Sequence, residues 1–423
     1  MKNREICRAA ILRGLFAATA LMAAVPLLAQ NPLFSKLESL AEREPLHSSV
    51  WGVMAVNMKG DTVAAFNSSQ RMVPASNTKL LSTGVALKTL GADYRFETRI
   101  GYVGIIENGC LNGDLYIMGG ADPTIGVQAK VEDVFHNWKA ILDKAGILEI
   151  EGRVIADSRY LRNRGIEKSW QYEDLECGDA LVPRGLNFQK NVRDYKNLFS
   201  KGFIAESAPE DTCAAAFCQY LVQEGFSVAG GSVSVDPDGM AVRDSIILLG
   251  SSRSIPLSAI VKETNYQSDN FYAETLYRLM SDRYIPVLDA LGRMGLPTCG
   301  NIQLYDGCGL SRKDYVSPAY FVSFLKAMHS TDVFDCFLKS MPQPGSGTLA
   351  IRLRKAPEST KKRIYMKSGS MNGVCCYSGY ILPSGGDEAE TIAFSLMTNN
   401  VVDPQGRLGG IIDEIIMAIA GMN

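Results

Sequence analysis

Two spacings of apolar residues alternate along the chain and predict its helices and strands. Apolar residues at intervals of three and four predict helices over residues 32–46, 76–91, 268–279, 317–328 and 408–419. Runs of strand-like composition lie at residues 50–57, 62–66, 363–367, 374–382 and 391–398. The last three runs follow one another closely, so the apolar helix at 408–419 is expected to pack on the sheet that they form.

The middle of the chain, residues 94–250, has a different pattern. Short strand-like runs predominate there, at residues 96–105, 113–118, 152–157, 226–235 and 245–249. Helical stretches lie at residues 131–145 and 211–224. We therefore expect one discontinuous domain, residues 31–93 and 251–423, with an inserted β-rich unit at residues 94–250.

The composition indicates a folded globular protein and argues against nucleic-acid binding. The 423 residues are 46% hydrophobic and 21% charged, which supports a substantial core in two or three domains. The formal charge of −2 supplies no basic excess for nucleic acid. The histidines His47, His136 and His329 stand in no catalytic or ligand pattern, and no Cys-x-x-Cys pair occurs. A Ser-His-Asp hydrolase, a metal site and a cofactor are therefore not predicted.

The first thirty residues have the pattern of an export signal. A basic start is followed by an apolar run at residues 14–28 and by a small-residue cleavage point near residues 29–30. The run is short for a membrane-spanning helix, so residues 1–30 predict a cleaved signal peptide, a periplasmic protein and no integral membrane span. A retained N-terminal anchor is the alternative. Nine of the ten cysteines follow this segment, without the spacing of a disulfide framework.

Ser76 and Lys79 form a Ser-x-x-Lys pair at the start of a predicted helix. Three residues is close to one helical turn, so the two side chains share a face and can meet. A serine hydroxyl needs a neighbouring base, and a half-buried lysine beside other cations can release its proton and serve as one. The pattern recurs at residues 323–326 and 359–362, so by itself it equally fits a helix-capping serine followed by a solvated lysine.

Two further motifs follow Ser76 in a fixed order and make the pair specific. Residues 268–270 form a Ser-Asp-Asn motif, and residues 367–369 form a Lys-Ser-Gly motif where an edge strand is expected. The ordered set Ser-x-x-Lys, Ser-x-Asn and Lys-[Ser/Thr]-Gly is typical of penicillin-binding proteins and of related β-lactamases.

From residue 33 to its end, the chain resembles the D-alanyl-D-alanine carboxypeptidase/endopeptidase family, the low-molecular-mass class C penicillin-binding proteins. The segments that carry the resemblance are residues 74–80, 120–124, 268–274, 306–312, 345–349 and 367–370. The resemblance implies an α/β (α+β) fold with a transpeptidase/β-lactamase-like domain, in which an antiparallel sheet is flanked by helices and carries a large β-rich insertion. It also implies peptidoglycan stem peptides as substrates and β-lactam antibiotics as covalent inhibitors.

Chemistry and the matching positions together predict five catalytic residues. Ser76 would attack the carbonyl between two D-alanines, and Lys79 would take its proton. Ser268 and Asn270 would complete the hydrogen-bonded network, with Ser268 relaying a proton to the leaving amine. Lys367 would hold the substrate carboxylate and keep Lys79 neutral by charge repulsion.

The predicted substrate-binding residues include the segment after Lys367. Ser368 and Ser370, on either side of Gly369, offer hydroxyls to the same carboxylate. The backbone N–H groups of Ser76 and Ser370 would form the oxyanion hole, which stabilises the negative charge of the transition state.

Two more substrate contacts, and two departures, follow from the resemblance. A Trp-x-x-x-Asp segment of the insertion reaches over the cleft in the family, and Trp170 and Asp174 resemble it in this chain. Arg312 could pair with the free carboxylate of a diamino acid, and surface ion pairing is the alternative for both charged residues. Ser368 replaces the usual threonine but keeps its hydroxyl, and Cys308 replaces a usual serine in a tight turn near the cleft.

Three functions are compatible with these motifs. The main hypothesis is a periplasmic serine DD-peptidase that cleaves D-Ala-D-Ala ends, D-Ala-diamino-acid cross-links, or both. A β-lactamase-like esterase with the same fold is an alternative, although no Glu-centred motif for activating a deacylating water is visible. A non-catalytic wall-binding protein is a second alternative, against which the intact set of catalytic residue types argues.

Overall fold

The computed structural model describes residues 32–127, 130–176, 178–196, 201–235 and 246–421. The predicted signal peptide at residues 1–30 and the first residue of the strand predicted at 245–249 lie outside these ranges. Within these ranges, no helix combines the length and the apolar character needed to cross a membrane.

Twelve helices and fourteen strands are numbered in chain order over the described residues. The helices are α1 Pro32–Ala41, α2 Thr78–Leu90, α3 Val131–Lys144, α4 Tyr172–Glu176, α5 Pro209–Gln223, α6 Leu257–Gln267, α7 Asn270–Arg283, α8 Val287–Arg293, α9 Pro318–His329, α10 Phe334–Ser340, α11 Glu358–Lys361 and α12 Leu408–Ala420. The strands are β1 Val50–Asn57, β2 Thr62–Phe66, β3 Glu97–Glu107, β4 Cys110–Met118, β5 Glu149–Ile150, β6 Val154–Asp157, β7 Val192–Lys196, β8 Lys201–Ala205, β9 Ser227–Val228, β10 Ser232–Val235, β11 Ile247–Arg253, β12 Ile364–Met371, β13 Val374–Ile381 and β14 Ile392–Asn399.

A five-stranded antiparallel sheet joins the two end regions of the chain. Its order is β12-β13-β14-β1-β2, so strands from residues 50–66 pair with strands from residues 364–399. The pairing of β1 with β14 is continuous, from Val50 opposite Asn399 to Asn57 opposite Ile392. Strand β12 is one of the two edge strands, and the motif at 367–369 lies within it.

Helices cover both faces of this sheet, because its side chains alternate between two cores. On one face, α1 and α12 pack through residues such as Leu37 and Ile415 against Phe394. On the other face, a cluster built mainly from α2, α6, α7 and α9 contacts Ala393 and Met397. The predicted antiparallel sheet flanked by helices is confirmed, as is the packing of the helix at 408–419 on it.

Helix α2 runs through the middle of the second core. All of its residues from Thr78 to Leu87 are buried, which explains why its apolar residues are not confined to one stripe. A Cβ at Gly84 would lie 2.6 Å from Cζ of Phe324 in α9. This glycine, which is unfavourable for an isolated helix, therefore permits the close packing of α2 against α9.

A second, mixed sheet draws its strands from residues 97–253. Its order is β10-β6-β4-β3-β11, with β5 and β9 alongside, and α3 and α5 cover it through buried Trp138 and Phe217. The ring centroids of these two residues lie 5.4 Å apart in an edge-to-face arrangement. These aromatic side chains belong to a hydrophobic cluster that is separate from the two cores of the five-stranded sheet.

The middle of the chain, residues 94–250, is called the middle block below, and its structure differs from the prediction in three details. The run predicted at 226–235 is divided into β9 and β10, because the chain turns at Gly231 with a φ of +69°. The β7–β8 hairpin has no predicted counterpart. Strand β11 continues to Arg253, whereas the sequence predicts that this strand ends at residue 249.

Candidate active site

Ser76 lies on a 3-10 turn, Ala75–Asn77, that leads directly into α2. Ala75 has a left-handed φ of +47°, and a Cβ at Gly309 would lie 1.9 Å from the carbonyl oxygen of Ala75. Only glycine allows the loop around residue 309 to approach the turn this closely. The prediction that Ser76 precedes a helix is confirmed, and Lys79 follows in the first turn of α2.

The Nζ atom of Lys79 is surrounded by three oxygen atoms. It lies 2.6 Å from Oγ of Ser76, 2.7 Å from Oδ1 of Asn270 and 2.7 Å from the carbonyl oxygen of Cys308. As an ammonium group, Nζ donates to all three oxygens. As a free amine, it can instead accept the proton of the Ser76 hydroxyl.

Both lysines of the motifs are fully buried. Burial lowers the pKa of the Lys79 amine, while nearby acidic groups act in the opposite direction. Burial also holds the pKa of Lys367 well below its usual value, and the positive charge of Lys79 lowers it further. The repulsion between the two lysines thus lowers the pKa of Lys367, whereas the lowered pKa of Lys79 is due to burial, and the expectation that Lys367 keeps Lys79 neutral stays a prediction.

The Ser-Asp-Asn motif occupies the junction between α6 and α7. Ser268 ends α6 with a left-handed φ of +64°, and Asp269 caps α7 by accepting a 2.9 Å hydrogen bond from N–H of Tyr272. Asn270 opens α7 and reaches Lys79, while Oγ of Ser268 accepts a 2.9 Å hydrogen bond from Nζ of Lys367. The junction thus links the two buried lysines, each through one motif residue.

Edge strand β12 lies directly against the turn that carries Ser76. A Cβ at Gly369 would lie 2.8 Å from the carbonyl oxygen of Pro74 and 3.0 Å from the backbone N of Ser76. The lack of a side chain at Gly369 therefore lets the strand approach the serine. Oγ of Ser368 donates to Oγ1 of Thr348, at 2.8 Å.

These elements enclose a cavity of about 320 Å³. Its walls include Ser76, Ser268, Asn270, Ser368 and Ser370, which the sequence predicts as site residues. They also include Asp179 and Thr348, which sequence reasoning missed; Thr348 stands in a segment that carries the resemblance, but nothing in the sequence points to Asp179. A larger cavity of about 780 Å³ adjoins the first and shares Asp179, Ser268 and Asn270 with it. Three predicted catalytic residues, Ser76, Ser268 and Asn270, therefore line the smaller of two adjoining cavities, and the two buried lysines contact them from behind.

Asp174 and Arg312 are placed differently. Oδ2 of Asp174 accepts a 3.0 Å hydrogen bond from N–H of Gln171, and Nη1 of Arg312 donates to the carbonyl oxygen of Asn372, at 3.1 Å. Neither residue lines the cavity that holds Ser76. Among the described residues neither has an ion-pair partner, so surface ion pairing does not account for them either.

The middle of the chain nevertheless contacts the site through Trp170. Its indole Nε1–H donates to Oδ2 of Asp306, at 2.7 Å, and Asp306 also accepts hydrogen bonds from the backbone N–H groups of Gly309 and Ser311. This network fixes the loop in which the carbonyl of Cys308 reaches Lys79. The Cys308 thiol is buried and its pKa is raised well above the usual value, so it is a neutral group and not a second nucleophile.

The ordered motifs, set on an antiparallel sheet with helices on both faces, define the class of penicillin-recognising serine enzymes. The chain matches the D-Ala-D-Ala carboxypeptidase 3 (S13) family over residues 33–198 and 195–412. It therefore belongs to this family, and the predicted enzyme class, a serine-type D-Ala-D-Ala peptidase, is confirmed.

Individual relatives agree with this assignment. The chain is 24% identical over 451 residues to a D-alanyl-D-alanine carboxypeptidase of Actinomadura sp. strain R39, covering 87% of this chain and 81% of the relative. It superimposes on penicillin-binding protein 4 of Haemophilus influenzae with a TM-score of 0.74 and 22% identity, covering 90% of this chain and 98% of the other. A structure of that protein complexed with a β-lactam gives a TM-score of 0.67.

A predatory peptidoglycan endopeptidase of Bdellovibrio bacteriovorus has the same fold. The TM-score is 0.57 at 15% identity, with 89% of this chain and 93% of the other covered. That endopeptidase has also been solved in a penicillin G acylated form, in complex with an immunity protein (TM-score 0.54). The shared fold thus spans proteins described as carboxypeptidases and as an endopeptidase.

Proposed function

We propose that this protein is a periplasmic peptidase that hydrolyses D-Ala-D-Ala ends of peptidoglycan stem peptides, and D-Ala-diamino-acid cross-links, through an acyl-enzyme on Ser76. The observation that carries the proposal is the position of the Lys79 amine, 2.6 Å from the Ser76 hydroxyl in a fully buried environment. Burial favours the neutral amine, which is the form that can act as a base.

Acylation begins when neutral Lys79 accepts the proton of Ser76. Oγ of Ser76 forms a bond to the carbonyl carbon, and the backbone N–H groups of Ser76 and Ser370 stabilise the oxyanion. The C–N bond then breaks, and the proton that Lys79 took from Ser76 passes through the Ser268 hydroxyl to the leaving amine, which leaves Lys79 neutral again. Water hydrolyses the resulting ester, which releases the shortened peptide and restores the Ser76 hydroxyl.

The terminal carboxylate of the substrate is held by positive charge and hydroxyl groups. Lys367 supplies the charge, because the substrate carboxylate favours its ammonium form and so opposes the effect of burial, and Ser368 and Ser370 supply donors on the same edge strand. Asp174 and Arg312 lie outside the cavity, and we propose that they contact more distant parts of a peptide, with Arg312 binding the free carboxylate of its diamino acid. Arg312 is suited to this because guanidinium groups bind carboxylates in a bidentate manner.

β-Lactam antibiotics are proposed to acylate the same serine. The β-lactam complex of the Haemophilus protein and the penicillin G acylated form of the Bdellovibrio endopeptidase support this inhibitor class. The basic and apolar pattern of residues 1–30 supports export to the periplasm, where stem peptides occur.

Labelling with a fluorescent penicillin tests the acyl-enzyme. We expect one covalent adduct per molecule, located by peptide mass spectrometry on Ser76, and no adduct in Ser76→Ala. The matched control is Ser323→Ala, since Ser323 heads another Ser-x-x-Lys pattern but is exposed and donates to the carbonyl of Ala319. Labelling that persists in Ser76→Ala contradicts the proposal.

Cross-linked muropeptides separate the two peptidase activities. Free D-alanine in the products indicates carboxypeptidase activity, and monomers released from dimers indicate endopeptidase activity. Nitrocefin turnover comparable with peptide turnover would instead support the β-lactamase-like alternative. If Ser76→Ala released as much peptide from sacculi as the unmodified protein, the wall-binding alternative would be supported.

A further inference from the structure

An ammonium group from the middle block contacts the Ser-Asp-Asn motif directly. Nζ of Lys190 lies 2.5 Å from Oδ2 of Asp269, the central residue of the motif. The Asp269 side chain is only 8% exposed, while that of Lys190 is 33% exposed. Lys190 also lies 5.3 Å from the ring centroid of Tyr272 in α7, a cation–π distance. The pair closes one wall of the 780 Å³ cavity, next to Ser268 and Asn270.

The loop that carries Lys190 has an unusual backbone conformation. Gln189, Lys190 and Asn191 have φ values of +50°, +57° and +54°, although none is a glycine. Consecutive left-handed residues are unfavourable and persist only where the surroundings impose them. In this loop the Asn191 side chain imposes them, since its Nδ2 donates to the carbonyl of Val182 and to Oδ1 of Asn187, both at 2.9 Å.

Asp269 lies between Ser268 and Asn270, so a contact that fixes Asp269 also restrains these two motif residues. Its second oxygen, Oδ1, caps α7, so the carboxylate is fixed from two directions. Asn270 is held by the middle block as well, because its Nδ2 donates to the carbonyl oxygen of Asp179, at 3.2 Å. Oδ1 of Asn270 contacts Lys79, and Oγ of Ser268 contacts Lys367.

We propose that Lys190 is a positioning residue of the peptidase: its ammonium group holds the Asp269 carboxylate, and thereby keeps Ser268 and Asn270 aligned with the two buried lysines. This inference rests on the proposed function of Ser76. It makes the middle block a participant in acylation, in addition to any role in substrate binding.

Lys190 has an electrostatic consequence as well. The Asp269 charge raises the pKa of Lys79, and Lys190 neutralises that charge. The other ionisable groups that face Lys79 are Asp306, Asp179, Cys308 and Lys367. Without Lys190, the uncompensated carboxylate would raise the pKa of Lys79 further, so a higher pH would be needed to form the neutral base.

The test measures acylation of the full chain by a chromogenic β-lactam as a function of pH. For Lys190→Met we expect an acylation rate constant roughly 10- to 100-fold lower, the loss typical of slightly misplaced catalytic groups, with little change in the preceding binding constant. The rising limb of the pH profile should move to higher pH. Lys190→Arg should restore both properties, and adding Asp269→Asn to Lys190→Met should move the limb back.

Lys144→Met is the matched control, because Lys144 is an exposed lysine of α3 and has no ion-pair partner among the described residues. Thermal unfolding of every variant separates loss of fold from loss of alignment, and Lys190→Gln replaces Lys190→Met if the latter does not fold. A folded variant with normal acylation and an unmoved limb overturns this inference alone. Absence of any adduct in the unmodified protein overturns the proposed function and this inference together.

Discussion

Lys79 is the residue whose protonation limits the proposed chemistry. Its amine has three oxygen neighbours and no contact with bulk water, so burial lowers its pKa from the usual value near 10.5. The neutral amine therefore forms at a lower pH than in an ordinary lysine. It is lost as the pH falls through the pKa that Lys79 has in the folded protein. Acylation should accordingly become faster with rising pH until Lys79 is fully deprotonated.

Lys79→Arg tests this dependence at the residue scale. Guanidinium remains charged, so it can hold Asn270 and the carbonyl of Cys308 but cannot accept a proton from Ser76. We expect a loss of roughly 10²- to 10⁴-fold in the acylation rate constant, together with loss of the rising pH limb. Stopped-flow acylation between neutral and alkaline pH measures both. An arginine variant with the original rate and limb would show that another group is the base.

Strand β12 is the element whose distance from α2 sets the width of the cleft. Its motif residues pair with β13 throughout, from Lys367 opposite Ser378 to Ser370 opposite Cys375. The strand can therefore shift only together with this part of the sheet. Gly369 is its closest point to the Ser76 turn, so the absence of one side chain controls the spacing between the nucleophile and the carboxylate-binding hydroxyls.

Gly369→Ala should widen that spacing. A Cβ would lie 2.8 Å from the carbonyl oxygen of Pro74, which belongs to the backbone and cannot rotate away as a side chain could. We expect about a 10²-fold loss in penicillin acylation, the scale of a displacement near 1 Å, with the protein still folded. Gly385→Ala is the control, since nothing lies within 4 Å of a Cβ there. Equal acylation rates in the two variants would contradict this account of the cleft.

Elements that are defined by local interactions are predicted accurately from the sequence, whereas elements that depend on contacts with distant parts of the chain are not. Strands β1 and β2 are predicted with their observed bounds, because two short apolar runs separated by the turn-forming residues Lys59-Gly60-Asp61 specify a hairpin. Strand β12 continues beyond its predicted end at residue 367 because pairing with β13, a non-local interaction, extends it through a Ser-Gly-Ser segment of low strand propensity.

The same distinction applies to the site. Ser76, Lys79 and the other motif residues could be found because their chemistry requires fixed local spacings. The contributions of Asp179 and Lys190 could not, because neither stands in a recognisable motif and both reach the cleft only through the folding of the middle block. The resemblance points to Asp174 and Arg312 as substrate contacts, but it does not indicate that they lie outside the cavity that holds Ser76.

At the scale of the whole molecule, the sheet separates two cores with different tasks. The catalytic turn, both buried lysines and the α6–α7 junction lie on the face covered by α2. Helices α1 and α12 cover the other face, where Ile415 is fully buried with Leu37 and Phe394. Apolar burial on that face stabilises the joined chain ends, and one member of this core, Tyr377, also lines the cavity that holds Ser76. Changes in the α1–α12 core at positions outside that cavity lining, such as Ile415, should therefore affect stability and leave the chemistry intact.

Ile415→Ala tests this separation. Removal of a fully buried isoleucine side chain is expected to lower the free energy of unfolding by about 2–5 kcal/mol, because it loses apolar burial and leaves a cavity. Urea unfolding measures this change, and penicillin acylation per folded molecule should be unaltered. Ile351→Ala is the matched control: Ile351 is 58% exposed, so its unfolding free energy should change by no more than about 0.5 kcal/mol. A fall in acylation of folded Ile415→Ala protein would mean that the sheet transmits packing changes from α12 to β12, and that the two cores are not independent.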